Sequence, residues 1–292
     1  MTEDLGKIHN ILIGILNEFI KIADKHGLAW FIDGGSLLGT IRHNGIIPWD
    51  DDIDIMMPRK DYELFLEYAE DELEGPYFLS TYNIEYRRLV KVFSPHATMG
   101  NMNTTLKNIS NVCQNLKRFR TCITIDIFPF DNAPDDNIEY SKWLNDLKEI
   151  RDYDLDDEYE KSEKYDELVR KFENVETKRF GNFVVNPEPR KYVFQHTDYS
   201  SYTLMPFNDT EVRVQNEWKH HLDVNYPGWK AYYSINTQLH KTFIIDPDTP
   251  YYERSEKDYM DAKKLGYVDS FYKYYLKTGK TPKYVSEFWE KH

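Results

Sequence analysis

The sequence predicts an α+β fold, a mixed sheet with flanking helices followed by a helical, aromatic C-terminal portion. Three observations carry that prediction. Ile8, Ile11, Leu12, Ile15, Leu16, Phe19 and Ile22 recur at spacings of three and four, the mark of an amphipathic helix with one buried stripe. Leu28 to Ile32 is a short apolar run that suits a buried strand, and it stops at Asp33-Gly34-Gly35-Ser36. Ser36 can cap a helical turn through Leu37, Leu38 and Ile41, so the order reads strand, glycine turn, helix. Finally, carboxylate and apolar side chains alternate toward the end of Asp50-Asp51-Asp52-Ile53-Asp54-Ile55-Met56, as on a strand with one apolar face.

The remaining elements follow in order. Asn44-Gly45 and Pro48 mark a loop before the acidic run, and Arg59 to Leu73 returns to helical spacing with Tyr62, Phe65, Leu66 and Ala69 on one side. Leu89 to Phe93 and Cys122 to Phe128 are rich in β-branched residues and read as strands, the second with a lone central Asp126. From Asp135 onward the chain is strongly charged, with helical spacing in Trp143, Leu147 and Ile150 and again in Leu168 and Phe172; a solvated helical insertion is expected there. Beyond Asn182 the sequence is aromatic and irregular, with helical patterns at Val214 to Val224 and Tyr267 to Leu276. The expected organisation is an N-terminal helix over 1–27, a core over 28–134, the insertion over 135–182 and the C-terminal portion over 183–292, without internal repeats.

Composition narrows the function. With 40% hydrophobic residues, 15% of the chain being aromatic, 292 residues can build a sizeable core. Fifty Asp and Glu against 37 Lys and Arg give a net charge of −13, which disfavours general nucleic-acid binding. An anionic substrate must then be held by a local cation cluster or by a divalent metal. Cys113 and Cys122 form no CxxC pair and no zinc-type spacing with histidine, so they read as reduced core residues. The apolar stretch Ile11 to Ala23 is interrupted by Asn17, Glu18 and Lys21, and the expectation is a cytoplasmic protein with neither export signal nor membrane span.

Asp50, Asp52 and Asp54 would share one face of an extended strand, where like charges repel unless a cation lies among them. Two such carboxylates can hold Mg²⁺ or Mn²⁺ with positions left open for phosphate oxygens; a merely solvated acidic loop is the competing reading, and Ile53 and Ile55 argue against it. An EF-hand fails because Ile55 stands where a glycine is needed and Asp61 where Glu is needed. Gly34-Gly35-Ser36, between strand and helix, suits a phosphate at a helix N-terminus. Arg42, His43 and Lys91 are expected to bind the donor, Arg42 and Lys91 through its phosphates, with a surface ion pair the competing reading for each of these two. Trp49 can stack on a base or belong to the core, and the dispersed histidines and cysteines offer no nucleophile–base pair.

The order of small-residue turn, paired strand acids and a later lone strand acid resembles nucleotidyltransferases of the DNA polymerase β type. The ungapped run from Asp33 to Ile55, continued by Met56, Arg59 and Asp61-Tyr62, resembles the signature of the LicD family, and Ile125-Asp-Ile-Phe-Pro-Phe-Asp131 resembles its second motif. That family includes bacterial phosphocholine transferases and is related to fukutin-type phosphoribitol transferases. The resemblance covers about residues 28–132. It implies a nucleotidyltransferase-like core in which Asp52 and Asp54 bind a divalent metal, Asp126 is the third acid, and Gly34, Gly35 and Ser36 face the donor phosphates. Arg42, His43 and Asp50 also fall on motif positions. The C-terminal part keeps only the spacing of Trp218, Leu222 and Tyr226, with Gln215 in place of an expected proline and Pro227 in place of a glycine.

The function implied is a metal-dependent phosphotransferase, with Mg²⁺ or Mn²⁺, moving a phosphoalcohol such as phosphocholine from a CDP-linked donor to a hydroxyl of a glycan or glycan-lipid acceptor. Any membrane contact would be peripheral, through that acceptor. Two alternatives remain at this stage: nucleotidyl transfer from a nucleoside triphosphate to a small molecule, and a non-catalytic member that binds nucleotide or glycan.

Overall fold

A computed structural model describes residues 3–80, 96–107, 112–113, 121–152, 158–183, 194–195, 201–231 and 244–278. Helix α1 (Glu3–Lys25) extends the predicted stripe by several residues and buries Ile8, Leu12, Ile15, Leu16, Phe19 and Ile22. It ends at Gly27, whose φ of +65° suits glycine, and Leu28 N–H closes the end on the Ala23 carbonyl at 2.9 Å. Strand β1 (Phe31–Ile32), helix α2 (Gly34–His43), strand β2 (Asp54–Pro58) and helix α3 (Arg59–Glu72) follow.

Strands β3 (Tyr77–Ser80), β4 (Ala97–Asn101), β5 (Thr105–Lys107) and β6 (Ile123–Ala133) come next; Leu89–Phe93, with Lys91, lies outside the described residues. The main sheet runs β1-β2-β6-β4-β3. Its pair β2–β6 is parallel, whereas β1–β2, β3–β4 and β4–β6 are antiparallel, so the sheet is mixed as the α+β prediction requires. On one face Ile53, Ile55, Met57, Met99, Ile123, Ile125 and Ile127 join the core beneath α1 and α3. Phe19 anchors this layer, its ring centroid 5.5 Å from Trp30 and 4.6 Å from Phe65. Truncation to alanine there is expected to cost about 3–5 kcal/mol. Met56, Phe128 and Phe130 meet Phe180 in a separate small cluster.

Helices α4 (Asn137–Asp152) and α5 (Glu158–Val169) occupy the charged segment. More is buried here than a solvated insertion implies. Trp143, Leu144, Leu147, Tyr165, Val169, Phe172 and Phe183 make a core of their own, and Trp143 Nε1 donates to the Leu168 carbonyl at 2.8 Å. Strands β7 (Arg179–Gly181) and β8 (Phe194–Gln195) extend from the distal end of β6.

The C-terminal portion departs from the expected helix over Val214–Val224. Val212 and Val214 belong instead to a hairpin of β9 (Tyr202–Phe207) and β10 (Thr210–Gln215), because their alternate burial gives a strand period; helix α6 (Trp218–Asn225) starts only afterward. The hairpin tip is tied to the core, since Asn208 Oδ1 accepts from Ile46 N–H at 2.9 Å and Asn208 N–H donates to Asn44 O at 2.8 Å. Gly45 permits that approach, as a Cβ there would lie 2.3 Å from Asn208 Oδ1. Strand β11 (Ile244–Asp246) pairs with β5, and helices α7 (Tyr251–Lys264) and α8 (Tyr267–Thr278) complete the described chain. Both cysteines are free and buried, and no described helix is long and apolar enough to cross a membrane.

Candidate functional site: an acidic cluster against a glycine turn

The site begins with the register of β2 and β6, which sets Asp54 beside Asp126 on neighbouring strands. Ile53 and Ile55, like Ile125 and Ile127, are fully buried, so strand pleating turns the intervening acids to the opposite face, where both are half-buried. Strand β2 starts at Asp54, with Ile53 O just before it accepting from Asp126 N–H at 2.9 Å; the expected extended strand through Asp50 and Asp52 is therefore shorter than predicted. Asp50 instead follows a turn in which its N–H bonds Ile47 O at 2.8 Å. The alternation of burial nevertheless continues through buried Asp51, half-buried Asp52 and buried Ile53.

The glycine turn closes on these acids. Asp33 N–H donates to Asp54 O at 3.0 Å, and Asp54 N–H donates to Ser36 Oγ at 3.0 Å. Ser36 is thus not the helix cap that its position suggested; it lies inside α2 and holds the first residue of β2. Gly34 has φ +57°, and a Cβ on it would stand 2.4 Å from Asp54 Oδ2, while one on Gly35 would stand 3.1 Å from Asp50 Oδ2. Only glycine lets backbone and carboxylates approach this closely.

Burial, followed by the charges of Asp52, Asp126, Asp33 and Asp50, pushes the Asp54 carboxyl well above the usual carboxylate range. Such crowding fits a bound cation. Among the described residues no three His, Cys, Asp or Glu side chains are already gathered into a metal cage, so a cation would have to draw the carboxylates together.

Arg42 and His43 lie in the last turn of α2, at the end opposite Gly34 and Gly35. His43 meets Trp49 edge-on at 5.8 Å, and burial, then the Arg42 charge, lowers its pKa, favouring neutral imidazole at neutral pH. Trp49 packs partly buried against the main core, in keeping with its structural reading. The structure thus brings Gly34, Gly35, Ser36, Asp54 and Asp126 together, couples Asp52 to them, and sets Arg42 and His43 one helix length away.

Three histidines without motif spacing also reach this region. His96 Nε2 is 3.4 Å from Asp126 Oδ1, His9 Nε2 donates to Asp50 O at 2.8 Å, and His221 Nε2 is 2.7 Å from Asp33 Oδ1. Their partners are distant in sequence, and only the fold brings them together. By contrast Arg59 and Asp131, both motif residues, form a buried fork: Nε to Oδ1 and Nη2 to Oδ2 are each 2.7 Å. That pair binds α3 to β6 and does not contribute a titrating acid to the cluster.

The family model for the LicD/FKTN/FKRP nucleotidyltransferase domain matches residues 27–159. Lipopolysaccharide cholinephosphotransferase LicD of Haemophilus influenzae is 37% identical over 71 residues, 24% of this chain and 27% of that protein. An uncharacterised protein of Rickettsia prowazekii is 33% identical over 95 residues, 31% of this chain and 35% of its own. Ribitol 5-phosphate transferase FKRP of Mus musculus is 44% identical over 36 residues, 12% of this chain and 7% of that protein. The matched stretches therefore span only a minor part of each relative. Within those bounds the motifs at 33–56 and 125–131 lie inside the stretch, residues 27–159, that is similar to the LicD/FKTN/FKRP nucleotidyltransferase domain.

Proposed function

We propose that the chain is a metal-dependent phosphotransferase that moves a phosphoalcohol group, such as phosphocholine, from a CDP-linked donor to a hydroxyl of a glycan or glycan-lipid acceptor. The observation that carries this reading is the Asp54–Asp126 register beside the Gly34–Gly35 turn. Two relatives whose names denote transfer of cholinephosphate and of ribitol 5-phosphate support the group transferred.

Asp52, Asp54 and Asp126 would hold Mg²⁺ or Mn²⁺, which supplies positive charge against the donor diphosphate. The first turn of α2 presents its backbone N–H groups to the donor phosphates, and Ser36 keeps Asp54 next to that turn. The acceptor oxygen bonds to the phosphorus bearing the alcohol, and the anhydride P–O bond breaks. CMP leaves with the electron pair, and the hydroxyl proton is lost. Asp126 either completes the metal site or accepts that proton.

A donor screen tests the reading. The purified chain is incubated with Mg²⁺ or Mn²⁺, a glycan acceptor and a panel of CDP-alcohols and nucleoside triphosphates. Release of CMP with transfer of a label carried in the alcohol supports phosphotransfer. Pyrophosphate release from CTP without label transfer replaces it with nucleotidyl transfer, and binding without turnover of any donor favours a non-catalytic role.

A further inference from the structure

The carboxylate of Asp33 is almost wholly buried, and its partner comes from outside the family-matched span. His221 on α6 places Nε2 2.7 Å from Asp33 Oδ1, with the two side chains 3% and 7% exposed. Asp33 is also the residue immediately before α2, with the extended backbone of an N-cap, φ −140° and ψ −176°. An Asp at that position ordinarily accepts from the N–H of the second or third helical residue, here Gly35 or Ser36. Asp33 makes no such side-chain bond. The first intrahelical bond of α2 is Leu37 N–H to Asp33 O at 2.9 Å, so the preceding amides have no carbonyl of the helix to bond.

We propose that His221 is a positioning residue that holds the Asp33 carboxylate away from the first turn of α2, keeping the amides of Gly35 and Ser36 open for an anionic phosphate oxygen. The inference rests on the donor reading above for the identity of that phosphate; the imidazole–carboxylate pair rests on geometry alone. It gives the C-terminal portion a part in donor binding. Helix α6 is fixed through Leu222, buried in the main core, and through Trp218 and Tyr226, packed partly buried against it. From that anchored helix His221 reaches the turn without touching the donor.

When His221 no longer engages it, Asp33 is free to cap its own helix and compete with phosphate for the same amides. His221→Leu should therefore slow hydrogen exchange at Gly35 and Ser36 and weaken CDP-choline binding, each by about tenfold, the size of a typical capping interaction. His221→Gln, which keeps a polar N–H group beside Asp33 Oδ1, should behave nearly as the parent. Asp33→Ala added to His221→Leu removes the competing cap and should restore donor affinity despite the lost pair. A merely structural His221 predicts instead lower melting temperatures for both single variants and an unimproved double variant.

The decisive experiment measures amide exchange without ligand, and CDP-choline and CTP binding per folded molecule, across the parent and these variants. Unchanged exchange at Gly35 and Ser36 in His221→Leu overturns the proposal whatever the donor does. If the parent binds neither nucleotide while exchange shifts as expected, the donor reading falls and the capping switch stands. Should His221→Leu not fold, Asp33→Ala alone decides: affinity within about twofold of the parent supports the proposal, and a loss of about tenfold overturns it.

Discussion

Asp54 and Asp126 are register partners on the parallel strands β2 and β6, so two carboxylates share one face of the sheet. Neighbouring strands are about 4.8 Å apart, and like charges at that spacing oppose the pairing that the buried isoleucines on the other face enforce. The hydrophobic face prevails because Ile53, Ile55, Ile125 and Ile127 lose all exposure to water only in this register. Local electrostatics and global packing thus disagree at one place, the pattern expected of a functional site.

Relieving that disagreement should stabilise the metal-free protein. Because the Asp54 pKa is raised on folding, the protonated form is favoured in the fold. Its contribution is present at pH values below the ordinary carboxylate value and is lost as pH rises through the folded value. At neutral pH Asp54→Asn should raise the melting temperature by about 2–4 °C, and the gap from the parent should shrink on acidification. Mn²⁺ should stabilise the parent and leave the variant almost unshifted. Calorimetric scans at several pH values, with and without Mn²⁺, check both effects; a variant less stable at neutral pH and equally responsive to Mn²⁺ contradicts them.

Asp126 separates metal binding from proton transfer. As a general base it would contribute about 10² to 10⁴ in rate, so Asp126→Asn should lose turnover by that factor while retaining most donor affinity. As a third ligand it would lose Mn²⁺ affinity together with turnover. Single-turnover rates beside Mn²⁺ titrations distinguish the two. Equal activity in Asp126→Asn and in the exposed control Asp135→Asn removes Asp126 from the site.

The acidic cluster was legible because its signal is local: strand pleating converts Asp-Ile-Asp-Ile and Ile-Asp-Ile into two faces before any long-range contact is known. The same locality made the α1 stripe and the strand–turn–helix order readable. Val214 misled because Val214, Trp218 and Leu222 recur four apart, a helical spacing that runs on from the end of β10 into the following helix, and the hairpin contacts that decide the matter lie in β9. Ser36 was assigned to capping because its true partner, the Asp54 amide, is 18 residues away. His221 left no trace at all, since 188 residues separate it from Asp33 and a buried imidazole reads like any other histidine.

Gly34 tests whether backbone conformation sets the position of Asp54. Alanine there must accept φ +57° and place a Cβ 2.4 Å from Asp54 Oδ2, so either the turn or the carboxylate has to move. Gly34→Ala should cost about 1–2 kcal/mol of stability from the left-handed backbone alone. It should also weaken Mn²⁺ binding, an effect that a remote stability loss does not produce. Gly35→Ala, with ordinary φ and a 3.1 Å approach to Asp50 Oδ2, should be milder on both counts. Denaturant titrations and Mn²⁺ binding on the two variants make the comparison, and the reverse ranking refutes it.

Arg59 and Asp131 provide the contrasting case of motif residues that serve the fold. Their forked contacts, both 2.7 Å, are buried, and Glu63 Oε1 accepts from Arg59 Nη1 at 3.2 Å on the more exposed side. Removing one partner leaves a charge in a poorly solvated site, so Asp131→Leu or Arg59→Met alone should each cost about 3–5 kcal/mol. Replacing both with apolar residues, as in Arg59→Met with Asp131→Leu, removes the stranded charge and should recover much of that loss, because a buried pair gains little over good packing. The double variant should keep Mn²⁺ affinity and turnover per folded molecule, since neither side chain belongs to the cluster around Asp54. Urea denaturation of the four proteins of the cycle, with activity normalised to the folded fraction, checks this. A double variant that regains stability but loses Mn²⁺ binding would instead make the fork part of the site.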